Sequence, residues 1–493
     1  MNDKNKSMYM NKGWYNGLVL SSSRFISAVL SFLTMVLLAR RLGVYDYGLI
    51  TVVFAFTSFI DLACDFGLTA YFTREAAKND DYVRKHIGRI FVFRIALMAL
   101  VLPFVPIAGK ILNYSSSMCL LFLICALGNG FLSTAVLIRS IFYIKHDLVP
   151  ESAITILYAI LKLGVVAILL WTGYRYRAIL VGLLLLNIAF VFSVYYYARS
   201  RFDLRLSVKW PGFMDMRTHL HLAYVFGLLG LIGLLYTRMS VLLLSKLTTF
   251  DAVGVYDAQY RFVQLVALFS GSVGALLLPL YSKNHLQMDW VKENVRNVNT
   301  YSLKLLVPIV FFMVFYSEAL LRLLFSQEIA SGHAVLSVLS LTFWLLFVNV
   351  NLGSLLLAKG HQKTAMWNSL ACALVNIILN IILIPRLKIM GSAIAYVGAE
   401  ITLLSLNLIF TRKYYHGIKA FTSDKTLYGA ILVFGGGYCL ALTVYPVASA
   451  ILLTAAFYLF VFRKDIIRLA VIRSEWKNRN KEVCRSDQTG GVL

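Results

Sequence analysis

Apolar stretches near the length of a membrane span recur along this chain, each closed by a short polar or glycine-containing break. At 1.5 Å per residue, about 20 apolar residues cross the hydrocarbon core of a bilayer. Read on that rule, the chain holds about fourteen helices. The first six are expected near residues 14–39, 47–66, 88–108, 117–141, 150–172 and 178–198. The next six are expected near 220–245, 253–280, 300–320, 334–358, 365–385 and 391–411. A last pair near 426–445 and 447–462 is divided only by Tyr445-Pro446, so it forms a hairpin that either spans or re-enters. The expected fold class is all-α: a polytopic membrane protein with two six-helix bundles and an additional C-terminal hairpin.

Composition supports the same class. Of 493 residues, 59% are hydrophobic and 14% charged, and mean hydropathy is +0.75. The net charge of +24 would suggest nucleic acid in a soluble protein. Here no folded soluble segment is left to bind it, and the basic residues fall mainly between and after the spans. With the N-terminus placed inside the cell, the cytoplasmic segments hold 33 of the 47 Lys and Arg residues, and the external loops hold 9. That asymmetry is the positive-inside pattern. It predicts cytoplasmic termini, an inner-membrane location and contact with anionic phospholipid headgroups.

The cysteines have no paired spacing that would suggest a disulfide framework or a zinc site. The first fourteen residues are polar and lack a cleavage-site pattern, so the first span is expected to act as an uncleaved anchor. No Walker A sequence, Gly-x-Ser-x-Gly or Cys-x-x-Cys occurs. The chain is therefore expected not to be an enzyme and to need no cofactor, with energy supplied by an H+ or Na+ gradient or by consumption of the product outside.

The chain also repeats itself weakly. Leu37–Gly48 joins the first two spans and Leu243–Gly254 joins the seventh and eighth. Each reads as an aliphatic helix end, a basic residue, a short loop, an acidic residue, then glycine in the next helix. An even helix count gives both halves the same orientation, with a substrate path between them. The expected organisation is a bundle at 1–198, a cytoplasmic linker at 199–219, a second bundle at 220–412, the hairpin at 426–462 and a basic tail at 463–493. The start of that tail alternates basic and apolar residues, as in a helix lying on an anionic leaflet.

Four segments carry a family resemblance. They are Leu38-Ala39-Arg40-Arg41-Leu42-Gly43 through Tyr47-Gly48, Asp65-Phe66-Gly67-Leu68 with Thr73–Lys78, Val253–Ala258, and Asn376–Asn380 with Ile384-Pro385 and Gly391–Ala395. In this order they resemble the polysaccharide exporters of the MOP flippase superfamily, over roughly residues 14–412. The resemblance implies translocation of undecaprenyl-pyrophosphate-linked oligosaccharide for O-antigen, capsule or exopolysaccharide. A polysaccharide polymerase and a chain-length regulator would be partners. The lipid II flippase and the multidrug MATE exporters belong to the same superfamily and stand as alternatives.

Five cations interrupt the spans: Arg24, Arg94, Lys162, Arg238 and Arg261. A lipid-facing charge at mid-bilayer costs at least about 2.5–3.5 kcal/mol, so such residues usually face a cavity or a partner. Arg94 lies near a cytoplasmic helix end and is expected to snorkel. Arg24, Lys162, Arg238 and Arg261 are the candidate substrate-binding residues, because guanidinium forks suit a pyrophosphate. Arg261 stands four residues after Asp257 and can instead pair with it inside one helix. Asp61, Asp257 and Glu400 are candidates for coupling or gating. Asn376 and Asn380 share a helix face and are expected to bond between helices.

Overall fold

The computed structural model describes residues 3–78, 80–203, 213–284, 286–415, 417–418, 421, 425–441 and 446–463. The centre of the expected linker, residues 204–212, and the basic tail beyond residue 463 lie outside them. Eighteen helices occur among the described residues. The first eight are α1 (Asp3–Leu42), α2 (Val44–Asp65), α3 (Leu68–Ala76), α4 (Asp80–Val101), α5 (Phe104–Ile111), α6 (Ser116–Ile144), α7 (Leu148–Trp171) and α8 (Tyr176–Phe202). The next eight are α9 (Phe213–Leu247), α10 (Phe250–Asn284), α11 (Met288–Leu324), α12 (Gln327–Ala330), α13 (Ala334–Ser340), α14 (Thr342–Ala358), α15 (Gln362–Leu387) and α16 (Ile389–Tyr414). The last two are α17 (Lys425–Ala441) and α18 (Pro446–Val461).

Eleven segments among the described residues are long and apolar enough to cross a bilayer, one of them (Ala334–Ala358) made of α13 and α14 together. A twelfth span is broken. The helix expected near 88–108 is α4 followed by α5, bent by 42° at Leu102-Pro103. A proline lacks the N–H that continues the ladder and disfavours helical geometry in the residue before it. The short α3 was not expected; it follows α2 through Phe66 (φ 44°) and Gly67 (φ 80°), two consecutive left-handed residues. α17 and α18 contain apolar helices of only 10–17 residues, and they pack on each other and on α11.

Within the first half α1 packs on α7, α6 on α8 and α5 on α6; within the second, α15 packs on α16, α10 on α14 and α9 on α15. α2 stands between the halves and touches α9 and α10. One end of α2 meets them on the face that the charge pattern assigns to the outside, called the outer face below. There the two repeated turns approach each other reciprocally. A Cβ on Gly48 would lie 1.9 Å from the Phe250 carbonyl oxygen, and one on Gly254 would lie 2.3 Å from the Val44 oxygen. Only glycine allows this approach, and such reciprocity is what a two-fold axis between the halves produces. Tyr45 and Phe250 cover the contact edge to face, with ring centroids 5.5 Å apart.

The other end of α2 meets α9 on the inner face. A Cβ at Gly67 would lie 2.5 Å from the Gly227 nitrogen, and one at Gly230 would lie 2.7 Å from a Leu62 methyl. The Arg74 guanidinium lies 5.6 Å from the centre of the Phe226 ring, and His219 packs beside the rings of Tyr71 and His86. The helix–helix contacts of Gly227 and Gly230 follow from their size, whereas Gly233 and Gly271 face open space.

Candidate functional site

Midway along α2, between these two contacts, lies a cavity of about 520 Å3. Its wall is built from α1, α2, α6, α7 and α8 on one side and from α9 and α10 on the other. Arg24, Lys162, Arg238 and Arg261 all line it. The four candidate binding cations, spread over 238 positions of sequence from Arg24 to Arg261, therefore converge on one space. Arg24 is exposed to it, and its guanidinium lies 6.0 Å from the Tyr143 ring centre. Among the described residues Arg24, Lys162 and Arg238 have no carboxylate ion-pair partner. Unbalanced cations around a partly apolar space form a positive field in low dielectric, where attraction to an anion is much stronger than in water.

Arg261 differs from the other three. Its Nε and Nη2 donate to Asp257 Oδ2 at 2.9 and 2.7 Å, and its Nη1 donates to Gln264 Oε1 at 3.1 Å. The intrahelical pair anticipated from the four-residue spacing is present, and the same guanidinium still reaches the cavity. Asp257 is fully buried and also accepts from Tyr47 at 2.8 Å and Thr51 at 3.3 Å, both on α2.

Asp61 and Glu400 do not line the cavity. Asp61 sits one turn before Asp65 on α2, with Oδ1 buried and without a hydrogen-bond partner. Glu400 is buried within the second half. Tyr236 donates to its Oε1 and Asn349 to its Oε2 at 2.6 Å. Arg94 does not snorkel. Its side chain is 3% exposed and pairs with Asp65 at 2.9 Å, with further donation to Thr69 and Ser133. Asp65 on α2 lies within reach, so the guanidinium is paired at depth instead of being carried to the interface. Asn376 and Asn380 bond across α9, α15 and α16 through Ser240 and Ser392, the interhelical role expected of them.

Several cavity residues escaped the sequence reading. Ser27 and Ser31 follow Arg24 along one face of α1, and Ser27 Oγ is buried without a partner. Asn129, Thr155, Tyr158, Asn187 and Gln264 add amides and hydroxyls. Tyr158 donates to Asn187 at 2.8 Å, and Asn187 donates to the Gly128 carbonyl at 3.0 Å. Their only sequence signal is a single polar residue in an apolar run, which hydrogen bonding between helices explains equally well. Arg139, near the end of the expected fourth span, forms a buried bidentate pair with Glu151 beside the cavity, at 3.0 and 2.5 Å.

The described fold and the charged cavity can be set beside known proteins. The family model for polysaccharide biosynthesis proteins matches residues 14–285, more than half of the chain. The chain belongs to this family. The probable low-salt glycan biosynthesis flippase Agl15 of Haloferax volcanii is 25% identical over 432 residues, 86% of each chain. Among solved structures, the lipid II flippase MurJ in an inward closed conformation superposes with a TM-score of 0.73 at 16% identity. That match covers 91% of this chain and all of MurJ. An inward-facing multidrug MATE transporter of the MOP superfamily superposes with a TM-score of 0.64 at 13% identity, covering 83% of this chain and all of that one. These two likenesses establish a shared fold. Family membership and the spans together make this a multi-pass membrane protein of polysaccharide biosynthesis.

Proposed function

We propose that the protein is a flippase for lipid-linked oligosaccharide. It takes the pyrophosphate–sugar headgroup of an undecaprenyl-pyrophosphate-linked repeat unit into the cavity, rocks one half against the other and releases the headgroup on the far side. The lipid tail stays in the bilayer throughout. The observation that carries this reading is the convergence of Arg24, Lys162, Arg238 and Arg261, drawn from both halves, on one cavity. Two or more negative charges on a pyrophosphate match a cluster of guanidinium and ammonium groups, and bidentate forks orient it. The hydroxyl and amide wall from α1, α6, α7 and α8 suits sugar hydroxyls in the same space. A cationic interior opposes the binding of cationic drugs.

In this reading both termini face the cytoplasm and the membrane is the inner membrane. Anionic phospholipids meet the basic face, and a polymerase with its chain-length regulator consumes the product outside. Glu400, buried and held by neutral donors alone among the described residues, is the residue at which an H+ or Na+ gradient would couple to the cycle.

The test is reconstitution. Proteoliposomes carry the protein and a lipid-pyrophosphate oligosaccharide, and an impermeant glycosidase reports the glycan that has crossed. Wild-type protein is expected to move that lipid, and Arg24→Ala to fail at equal protein content. Parallel vesicles contain lipid II or a cationic dye. Movement of the dye alone would overturn the proposal, and movement of lipid II alone would reassign the substrate.

A further inference from the structure

From the outer rim inward, three features lie on one line through α2 and α10. The reciprocal contact of Gly48 and Gly254 comes first. The bonds from Tyr47 and Thr51 to Asp257 come next, about 10 Å inside the start of α10, seven residues at 1.5 Å each. Arg261 follows one turn deeper, at the cavity wall. Tyr47 and Asp257 are both fully buried. Every partner of the Asp257 carboxylate reaches Oδ2: Tyr47 and Thr51 from one half, Arg261 from its own helix. Oδ1 is buried and has no hydrogen-bond partner among the described residues. Arg261 is thus the one cation paired with this carboxylate among the described residues.

We propose that Tyr47, Thr51 and Asp257 are positioning residues that make the outer contact between the halves sensitive to an anion in the cavity. The proposal rests on the flippase reading and adds the event that opens the outer side. A pyrophosphate at the cavity wall competes with Asp257 for the Arg261 guanidinium. As Arg261 turns toward the anion, Asp257 keeps only two neutral donors and remains buried. A buried carboxylate stripped of its cation is strongly unfavourable. Parting of α2 and α10 at Gly48 and Gly254 would admit water to it from the outer face as well. The anion therefore favours the state in which that contact is open, which is the differential interaction a ligand needs in order to shift a conformational equilibrium. Without an anion, Arg261 returns to Asp257 and the outer contact closes. The carboxylate thus links occupancy of the cavity to the opposite end of the same two helices.

Hydrogen exchange on the purified full chain tests the idea, with geranylgeranyl pyrophosphate as the probe and geranylgeraniol as its uncharged control. Binding is measured separately by calorimetry. In wild-type protein the pyrophosphate is expected to speed exchange in segments 43–51 and 249–257 at least about fivefold, the lower end of usual site-to-site couplings. The alcohol is expected to change nothing there. Asp257→Asn is expected to bind the probe at least as tightly, since Arg261 is released, and to show no such acceleration. Tyr47→Phe is expected to raise exchange without probe and to reduce the further rise on binding, whereas a merely structural tyrosine would leave that increment intact. Binding with unchanged or slower exchange in the wild type would overturn the coupling, as would the same acceleration in Asp257→Asn. Failure of the wild type to bind the pyrophosphate would overturn the substrate reading itself, and the coupling with it.

Discussion

Arg94 on α4 and Asp65 at the end of α2 form an ion pair at 2.9 Å, with the arginine side chain 3% exposed. Thr69 ties the pair together, donating to Asp65 through both its backbone N–H and its hydroxyl while accepting from Arg94. The pair thus fixes the left-handed turn at Phe66-Gly67, which brings α2 against α9. Arg94→Gln should therefore lower stability by about 3 kcal/mol, because Asp65 is left without its cation at a nearly buried site. The double change Asp65→Asn with Arg94→Gln should recover much of that loss. Thermal melting of the detergent-purified proteins checks both, and equal destabilisation by the single and double changes would refute the pairing as the cause.

Arg24 is exposed to the cavity and has no carboxylate partner among the described residues, so its removal leaves no opposite charge stranded. Arg24→Ala should reduce headgroup translocation roughly ten- to hundredfold, as expected for the loss of hydrogen bonds to a charged group. Protein abundance should not change. Arg24→Lys should keep part of the activity, since an ammonium retains charge but cannot form a bidentate fork. Flippase assays normalised to protein content separate these outcomes.

Arg261 holds a structural role and a cavity position at once, and the two respond differently to mutation. Arg261→Gln alone should lower the amount of folded protein, because Asp257 is stranded in the interior. Adding Asp257→Asn should restore the amount. Translocation should stay low in the double variant if the guanidinium grips the headgroup. Recovery of both folded protein and transport in the double variant would confine Arg261 to the scaffold.

The charge asymmetry predicts which turns face the cytoplasm. His146 is exposed in the α6–α7 turn and Tyr174 is exposed in the α7–α8 turn. In intact cells, Tyr174→Cys should react with a membrane-impermeant thiol reagent and His146→Cys should not. The reverse pattern would invert the orientation.

The helices themselves were legible because each requirement for them is local. A backbone in hydrocarbon must satisfy its own hydrogen bonds, so each span is written as a continuous apolar run. The break at Leu102-Pro103 was not legible in detail: Pro279 and Pro308 lie inside α10 and α11 without ending them, so a proline in an apolar run does not by itself tell whether the span breaks. The candidate cations were legible for a similar reason, since a charge in an apolar run is costly wherever it points.

What those cations face was decided only by the tertiary structure. Arg94 and Arg24 each interrupt an apolar run, yet one meets a carboxylate from another helix and the other meets the cavity. The Asp257–Arg261 spacing disclosed an intrahelical pair, but Tyr47, 210 positions away, completes its surroundings from the opposite half. Such partners are brought together by packing between helices, and a long-range contact leaves no periodicity in the chain. The sequence by itself determined that this is a membrane protein with unbalanced charge at depth. The packing of α2 between the halves decided that four of those charges share one cavity, because only the assembled helices fix which faces meet.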